Sequence, residues 1–144
     1  MWVLIEHRGG EFEEASLEVL TEARRLANKA KLGVSALILG DQGLPAAEAL
    51  SQYGADTVCV VEHELLDAYT TDGYTTVLAG LLREKAPGTL LMAGSALGRD
   101  LAPRLAARLG TSVVSDCTVL EINAEGTLEM TRPSCGGRVY TTFT

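Results

Sequence analysis

Several features that would assign the chain to other classes of protein are absent from its sequence. No uninterrupted apolar run approaches the roughly 20 residues that a membrane-spanning helix needs, and residues 1–7 lack the pattern of a secretion signal. The three cysteines, Cys59, Cys117 and Cys135, form neither a CxxC motif nor a cysteine–histidine pair at zinc-ligand spacing. We therefore expect no membrane insertion, no metal site, and a reducing, cytoplasmic setting.

Basic residues are also few. The chain has 12 lysines and arginines against 19 aspartates and glutamates, which gives a net charge of −7 and a pI near 4.8. Such a field repels phosphate backbones and anionic membranes, so we expect no nucleic-acid partner. A hydrophobic fraction of 47% is typical of a folded protein, and 144 residues fit one domain.

The first 109 residues alternate between buried strands and helices. Short apolar runs predict the strands, and apolar side chains that recur every three or four positions predict the helices. The predicted strands are Trp2–Ile5, Val34–Leu39, Thr57–Val61 and Thr89–Ala93. The predicted helices are Glu13–Lys31, Pro45–Tyr53, Gly73–Lys85 and Leu101–Leu109, with a turn at Gly40–Gly43. Asp100 is predicted as the N-cap of the last helix and Gly110 as its C-terminal stop.

Beyond Gly110 the pattern changes to strands joined by short turns. The predicted strands are Ser112–Ile122, Thr127–Arg132 and Arg138–Phe143, with turns at Asn123–Gly126 and Ser134–Gly137. The whole pattern predicts an α/β fold, a three-layer α/β/α arrangement with a mostly parallel sheet that an antiparallel β meander extends at one edge. Thr144 falls inside an apparent strand, from which we expect a longer parent chain.

The predicted sheet places two loops where a ligand can bind. In an open α/β sheet, ligands bind beyond the C-terminal ends of the strands, where the strand order reverses. The loops concerned are Glu6–Gly10 and Gly94–Asp100. The residues that suit a phosphate, through backbone amides, a hydroxyl and a guanidinium, are Gly94, Ser95, Gly98, Arg99 and Asp100. The alternative is a plain tight turn in which Asp100 caps the helix and Arg99 is solvated.

His7 ends the first strand between Glu6 and Arg8, a position suited to a general base or a ligand contact. No nucleophile signature accompanies it, so we expect a loop or subunit-contact role and identify no catalytic residue.

Arg104 and Arg108 lie one helical turn apart and form a basic strip on an acidic protein. A solvated helix face and a contact surface for an acidic partner are equally open interpretations.

The segment after the fourth strand resembles the alpha subunits of electron-transfer flavoproteins. The matching residues are Gly-Ser-Ala-Leu-Gly-Arg-Asp-Leu-Ala-Pro-Arg-Leu-Ala-Ala-Arg-Leu-Gly-Thr, followed by Ser-Asp-Cys-Thr, within Gly94–Thr118. Val3–Gly10, Thr131-Arg132-Pro133 and Gly136-Gly137 are also similar, so the resemblance covers residues 1–144 as an amino-terminal domain. The chain departs from the family at Ser134-Cys135, where a bulkier residue is common, which leaves the contacts of the final hairpin open.

The resemblance implies an adenine-nucleotide alpha-hydrolase-like fold and a heterodimer with a beta subunit. This heterodimer would carry electrons from acyl-CoA or other dehydrogenases to a quinone reductase, or take part in flavin-based bifurcation. In that family FAD is held mainly by the carboxy-terminal alpha domain, so no FAD contact is transferred to a residue here. We expect a scaffold and subunit-contact domain that alone binds no FAD.

Two other classes of protein share this kind of sheet. A stand-alone ATP- or AMP-binding module similar to universal stress proteins would have two glycines two residues apart, then a third glycine nine residues on followed by a hydroxyl. Here three residues separate Gly94 from Gly98, and eleven separate Gly98 from Gly110, so the spacing misses twice, although AMP stays open as a ligand. An adenylate-forming hydrolase would need a Ser-Gly-Gly-x-Asp-Ser loop, which Glu6–Gly10 does not provide.

Overall fold

The computed structural model describes residues 1–40 and 48–144. The predicted turn at Gly40–Gly43 and the start of the predicted helix Pro45–Tyr53 therefore lie largely outside the described residues. The elements in chain order are β1 (Trp2–Leu4), β2 (His7–Arg8), β3 (Glu11–Phe12), α1 (Glu14–Ala30), β4 (Ser35–Leu39), α2 (Ala49–Gln52), β5 (Thr57–Val61), a 3-10 turn (Glu64–Leu66), α3 (Thr71–Lys85), β6 (Leu90–Leu91), α4 (Ala96–Leu109), β7 (Val119–Ile122), β8 (Leu128–Ser134) and β9 (Val139–Phe143).

The parallel sheet has the strand order β5-β4-β1-β6 and is covered by helices on both faces. Because successive side chains of a strand point to opposite faces, Val3 and Leu4 of the central strand enter different cores. Val3 packs with the buried residues Leu20, Ala23 and Ala27 of α1 and with Leu50 of α2. Leu4 packs with Leu78 and Leu82 of α3 and with Leu101 and Leu105 of α4. The three-layer α/β/α prediction is confirmed.

Helix α4 begins at Ala96, so the prediction that Asp100 is its N-cap is wrong. Ser95 is the N-cap, and its Oγ accepts a hydrogen bond from the backbone N–H of Gly98 at 2.9 Å. Both Ser and Asp are good N-cap residues, and local sequence does not choose between them. The predicted C-terminal stop is confirmed, because Gly110 ends α4 in the left-handed conformation at φ 69°.

The antiparallel meander is a separate sheet of order β7-β8-β9, so the prediction that it extends the parallel sheet is wrong. Residues 111–118, the first part of a predicted strand, contain no strand and lead away from β6. The meander attaches instead to α1, where Arg25 Nη2 donates to the carbonyl oxygen of Leu120 at 2.5 Å. Arg25 and Lys29 also pair with the carboxylate of Glu121.

A small hairpin, β2–β3, follows the central strand and was not predicted. Its turn contains Gly9 and Gly10 at φ 59° and 84°, a region of backbone conformation that favours glycine. The hairpin fixes the side chains that follow β1 beside the end of the parallel sheet. Within residues 1–40 and 48–144, no helix has the length and apolar character required to cross a membrane.

Candidate functional site

The two loops selected from the sequence meet at the C-terminal ends of β1 and β6. These neighbouring strands lie where the strand order reverses, since β4 and β5 follow on one side of β1 and β6 on the other. Ser95 Oγ donates to Glu6 Oε1 at 2.6 Å and joins the loops directly. A cleft of about 660 Å³ opens here, and its lining includes Glu6, His7, Glu13, Tyr69 and Ser95.

Glu6 brings a half-buried carboxyl group to the first turn of α4. Its backbone N–H donates to the buried Oγ of Ser16 at 3.0 Å, which fixes the chain as it leaves β1. Burial raises the pKa of Glu6 above 4.5, the Ser95 hydrogen bond opposes that rise, and the nearby Glu13 carboxylate adds to it. The positive end of the α4 dipole stabilises an anion at this position. The chain thus places a carboxyl group of its own at the helix terminus.

Gly98 lets α4 start in contact with the end of the parallel sheet. A Cβ atom on Gly98 would lie 2.0 Å from the backbone carbonyl oxygen of Ala93, so no other residue fits without movement of the backbone. A Cβ atom on Gly94 would meet nothing within 4 Å. Gly98 therefore has a packing role at this site, and Gly94 has open space around it.

The side chains of Arg99 and Asp100 contact other parts of the chain and not the first turn of α4 around Ser95. Arg99 is exposed, and its Nη2 atom lies 3.9 Å from Asp116 Oδ1. Asp100 Oδ2 accepts hydrogen bonds from the hydroxyls of Tyr69, at 2.7 Å, and of Thr71. The Thr71 bond and then the Tyr69 bond lower the pKa of Asp100. Asp100 thus ties α4 to the start of α3.

His7 is held by the neighbouring strand and not by a catalytic partner. Its Nε2 atom donates to the carbonyl oxygen of Leu39 at 2.9 Å, since a carbonyl can only accept. The buried Nδ1 atom has no hydrogen-bond partner in the described part of the chain. No hydroxyl or thiol there bonds to His7, so the geometry supplies no activated nucleophile.

The charges of the cleft suit a neutral or cationic group better than a phosphate. Glu6, Glu13 and Asp67 contribute three carboxyl groups, and Arg8 is one cation on the same rim. The Glu6 carboxylate lies at the helix N-terminus, where a phosphate would need free N–H donors. Among residues 1–40 and 48–144, no group of three or more histidine, cysteine, aspartate or glutamate side chains has the arrangement of a metal site.

The meander presents a second candidate site. All five residues of its edge strand β9 are exposed, including the large side chains of Val139, Tyr140 and Phe143. Tyr140 is 64% exposed. By strand alternation, Val139 and Phe143 lie on one face of the sheet and Tyr140 on the other. Sequence reasoning missed this surface, because the pattern of β9 is the same whether or not another layer covers it.

Comparison with known proteins gives the family context of these two sites. The family model described as "Electron transfer flavoprotein domain" matches residues 1–144. The chain is 43% identical over 144 residues to protein FixB of Clostridium saccharobutylicum, covering 99% of this chain and 43% of that protein. It is 40% identical over 143 residues to the electron transfer flavoprotein subunit alpha of Thermoanaerobacterium thermosaccharolyticum, with the same coverage of each.

A third relative has a more specific name. The chain is 34% identical over 166 aligned residues to the acryloyl-CoA reductase electron transfer subunit beta of Anaerotignum propionicum, covering 99% of this chain and 45% of that protein. The chain thus spans less than half the length of each of these relatives. The resemblance identified from the sequence is confirmed.

Proposed function

Because the chain belongs to the electron transfer flavoprotein domain family, we propose that it is the amino-terminal scaffold and subunit-contact domain of an alpha subunit. Its partner in this proposal is the beta subunit of the same electron carrier. The observation that carries the proposal is the exposed edge strand β9, with Val139, Tyr140 and Phe143. We further propose that the complex works in the cytoplasm, where its free thiols stay reduced.

Strand β9 lacks the devices that usually keep an edge strand from pairing with another protein. Edge strands in native proteins are normally short, carry charged residues, are interrupted by proline or are covered by another element. Val139–Phe143 contains neither a charged residue nor a proline, and all five residues are exposed. A second polypeptide that pairs with the strand and packs against both faces of the sheet would bury three large side chains and satisfy the free backbone groups of β9. This surface therefore supports a permanent subunit contact.

In the parent protein, electrons would pass from acyl-CoA or other dehydrogenases to a quinone reductase through FAD. The cleft does not suit the pyrophosphate of a flavin dinucleotide, because the Glu6 carboxyl group lies at the N-terminus of α4 and disfavours a second anion there. We therefore assign FAD to parts of the parent outside this chain and assign no catalytic residue within it. The purified chain should be colourless.

The partner contact can be tested by single substitutions on the meander. Tyr140→Ser and Phe143→Ser should each weaken association with the cognate beta subunit by about tenfold or more, as expected for a buried aromatic anchor. Leu65→Ser is the matched control, since Leu65 is a 72% exposed apolar residue outside the meander. Equal affinities for the wild type and both meander variants in calorimetric titration would contradict the proposed contact.

An adenine-nucleotide module is the second candidate function, and the position of the cleft at the reversal of strand order favours it. In that case the phosphate would be bound by the loop residues Gly94, Ser95, Gly98, Arg99 and Asp100. The Glu6 carboxylate opposes this binding. Titration with AMP separates the candidates, because micromolar affinity would support the nucleotide module and the absence of measurable heat would support the scaffold.

A further inference from the structure

A shallow groove of about 390 Å³ runs between α3 and α4, on the face of the parallel sheet remote from α1. The two helices meet through Leu78, Leu82, Leu101 and Leu105, which lie beneath the groove in the core. The groove itself is lined by Asp72, Thr75, Arg104, Ala107 and Arg108. The basic strip seen in the sequence is therefore one wall of a concave surface.

The arginines around this groove are poorly neutralised for so acidic a chain. Arg108 donates to the hydroxyl of Thr76 at 3.2 Å, and Arg83 donates to the backbone carbonyl of Arg108 at 2.7 Å. Within the described ranges, neither arginine has a carboxylate at ion-pair distance. Arg104 reaches Asp72 and Asp100 only at 3.9 Å. The groove lining contains two arginines and one aspartate, which gives it a net charge of +1 on a protein of charge −7.

The groove also contains a polar group without a partner. Thr75 is 6% exposed, and its buried Oγ atom makes no hydrogen bond in the part of the chain that the structure describes. A buried hydroxyl normally has a partner, because an unsatisfied one is destabilising. Rotation of the Thr75 side chain would turn this hydroxyl toward an acceptor in the groove, which would then supply the hydrogen bond that the free protein lacks. This observation is independent of the charge of the arginines.

We propose that the α3–α4 groove binds a carboxylate side chain of a partner protein, held between the guanidinium groups of Arg104 and Arg108 and by the Thr75 hydroxyl. Arginine binds planar carboxylates through two parallel hydrogen bonds. Asp72 in the groove lining and Asp100, which lies 3.9 Å from Arg104, disfavour the higher charge of a phosphate. The groove is separate from strand β9, so this inference goes beyond the proposed subunit contact.

The groove would decide how an acidic partner is oriented. Most of the surface of this chain repels such a partner, whereas the arginine groove attracts it, so the charge pattern favours one docking orientation. Exposed ion pairs of this kind contribute more to orientation than to affinity. We therefore expect weak but specific binding of an isolated acidic segment.

The test is a titration of the purified protein with hexaglutamate peptide, followed by amide chemical shifts. The expected result is saturable shifts at Thr75, Thr76 and residues 104–108, with none from the neutral hexaglutamine peptide. The double variant Arg104→Gln/Arg108→Gln should bind the peptide at least about tenfold more weakly, because the loss of each exposed arginine–carboxylate pair weakens binding by about fivefold. Arg138→Gln is the control, because Arg138 is an exposed arginine of the meander.

A second variant separates binding from folding. Thr75→Val removes the unpaired hydroxyl and keeps the shape of the side chain, so it should raise the midpoint of thermal unfolding and yet weaken peptide binding about threefold or more. Unchanged peptide affinity in Thr75→Val would overturn the role of the hydroxyl. Shifts spread over all arginines, or saturable binding of inorganic phosphate at the groove without peptide binding, would overturn the proposal as a whole.

Discussion

Substitution of Gly98 by alanine adds one methyl group at the point where α4 meets the end of the parallel sheet. The new Cβ atom would lie 2.0 Å from the carbonyl oxygen and 3.3 Å from the carbonyl carbon of Ala93. Both atoms belong to the backbone, so no side-chain rotation relieves the clash. The first turn of α4 would have to move until the Cβ–oxygen distance approaches 3.4 Å, where ordinary contact begins.

The expected change in the free energy of unfolding combines three effects. Helix propensity alone favours alanine over glycine by about 1 kcal/mol. Overpacking against a fixed backbone costs about 1–3 kcal/mol, and movement of the turn would also weaken the cap bond between Ser95 and Gly98, worth about 1 kcal/mol. The net result is a loss of about 1–3 kcal/mol, opposite in sign to the effect of helix propensity.

Urea unfolding of Gly98→Ala and Gly80→Ala measures this difference. Gly80 lies on the exposed side of α3, and a Cβ atom there would meet nothing within 4 Å. Gly80→Ala should therefore stabilise the protein by about 1 kcal/mol. If Gly98→Ala were as stable as the wild type or more stable, the close approach of α4 to β6 would be refuted.

Three further predictions concern the charged groups of the fold. Because burial raises the pKa of Glu6, its folded carboxylate is disfavoured and the contribution of Glu6 to stability falls as the pH rises above 4.5; Glu6→Gln should therefore gain stability relative to the wild type in urea titrations between pH 4 and pH 7. Hydrogen bonds lower the pKa of Asp100, so its contribution to the stability of the fold is present at neutral pH and is lost as the pH falls below 3.8. Asp100→Asn should therefore be less stable than the wild type at pH 7 and equally stable in acid. Arg25→Gln should leave the urea midpoint of global unfolding almost unchanged, because exposed ion pairs contribute little to stability, but speed amide exchange in β7, because Arg25 holds the carbonyl of Leu120.

Each of these predictions has a contrary outcome. A pH profile of Glu6→Gln parallel to that of the wild type would mean that the carboxyl is fully solvated. A constant difference between Asp100→Asn and the wild type down to acid pH would remove the role of its hydrogen bonds to Tyr69 and Thr71. Unchanged exchange in β7 of the Arg25 variant would show that other contacts hold the meander to α1.

The sequence predicted most elements because their signals are local. The strand Thr57–Val61 has the predicted bounds, α1 is one residue shorter than predicted at each end, and α3 begins two residues earlier than predicted and ends at the predicted Lys85. Gly110 ends α4 in a left-handed backbone conformation, which glycine adopts without a steric penalty; the same property is the reason for predicting a helix end at a glycine. Apolar periodicity and glycine stops depend on neighbours within one or two turns, so one chain segment contains the whole signal.

Other features depend on contacts between distant residues. The N-cap Ser95 of α4 is held by a hydrogen bond to Glu6, which is 89 positions away. The position of the meander depends on Arg25 and the carbonyl of Leu120, 95 positions apart. The topology rule located the cleft correctly, whereas the carboxyl group inside it became visible only in the structure.

Hydrogen exchange of the purified chain, alone and with its cognate beta subunit, tests whether β9 is the subunit contact. We expect the amides of Val139–Phe143 to exchange quickly in the free chain and to become protected in the complex, with little change around Leu65. Association without any protection of β9 would contradict the claim that this strand is the subunit contact.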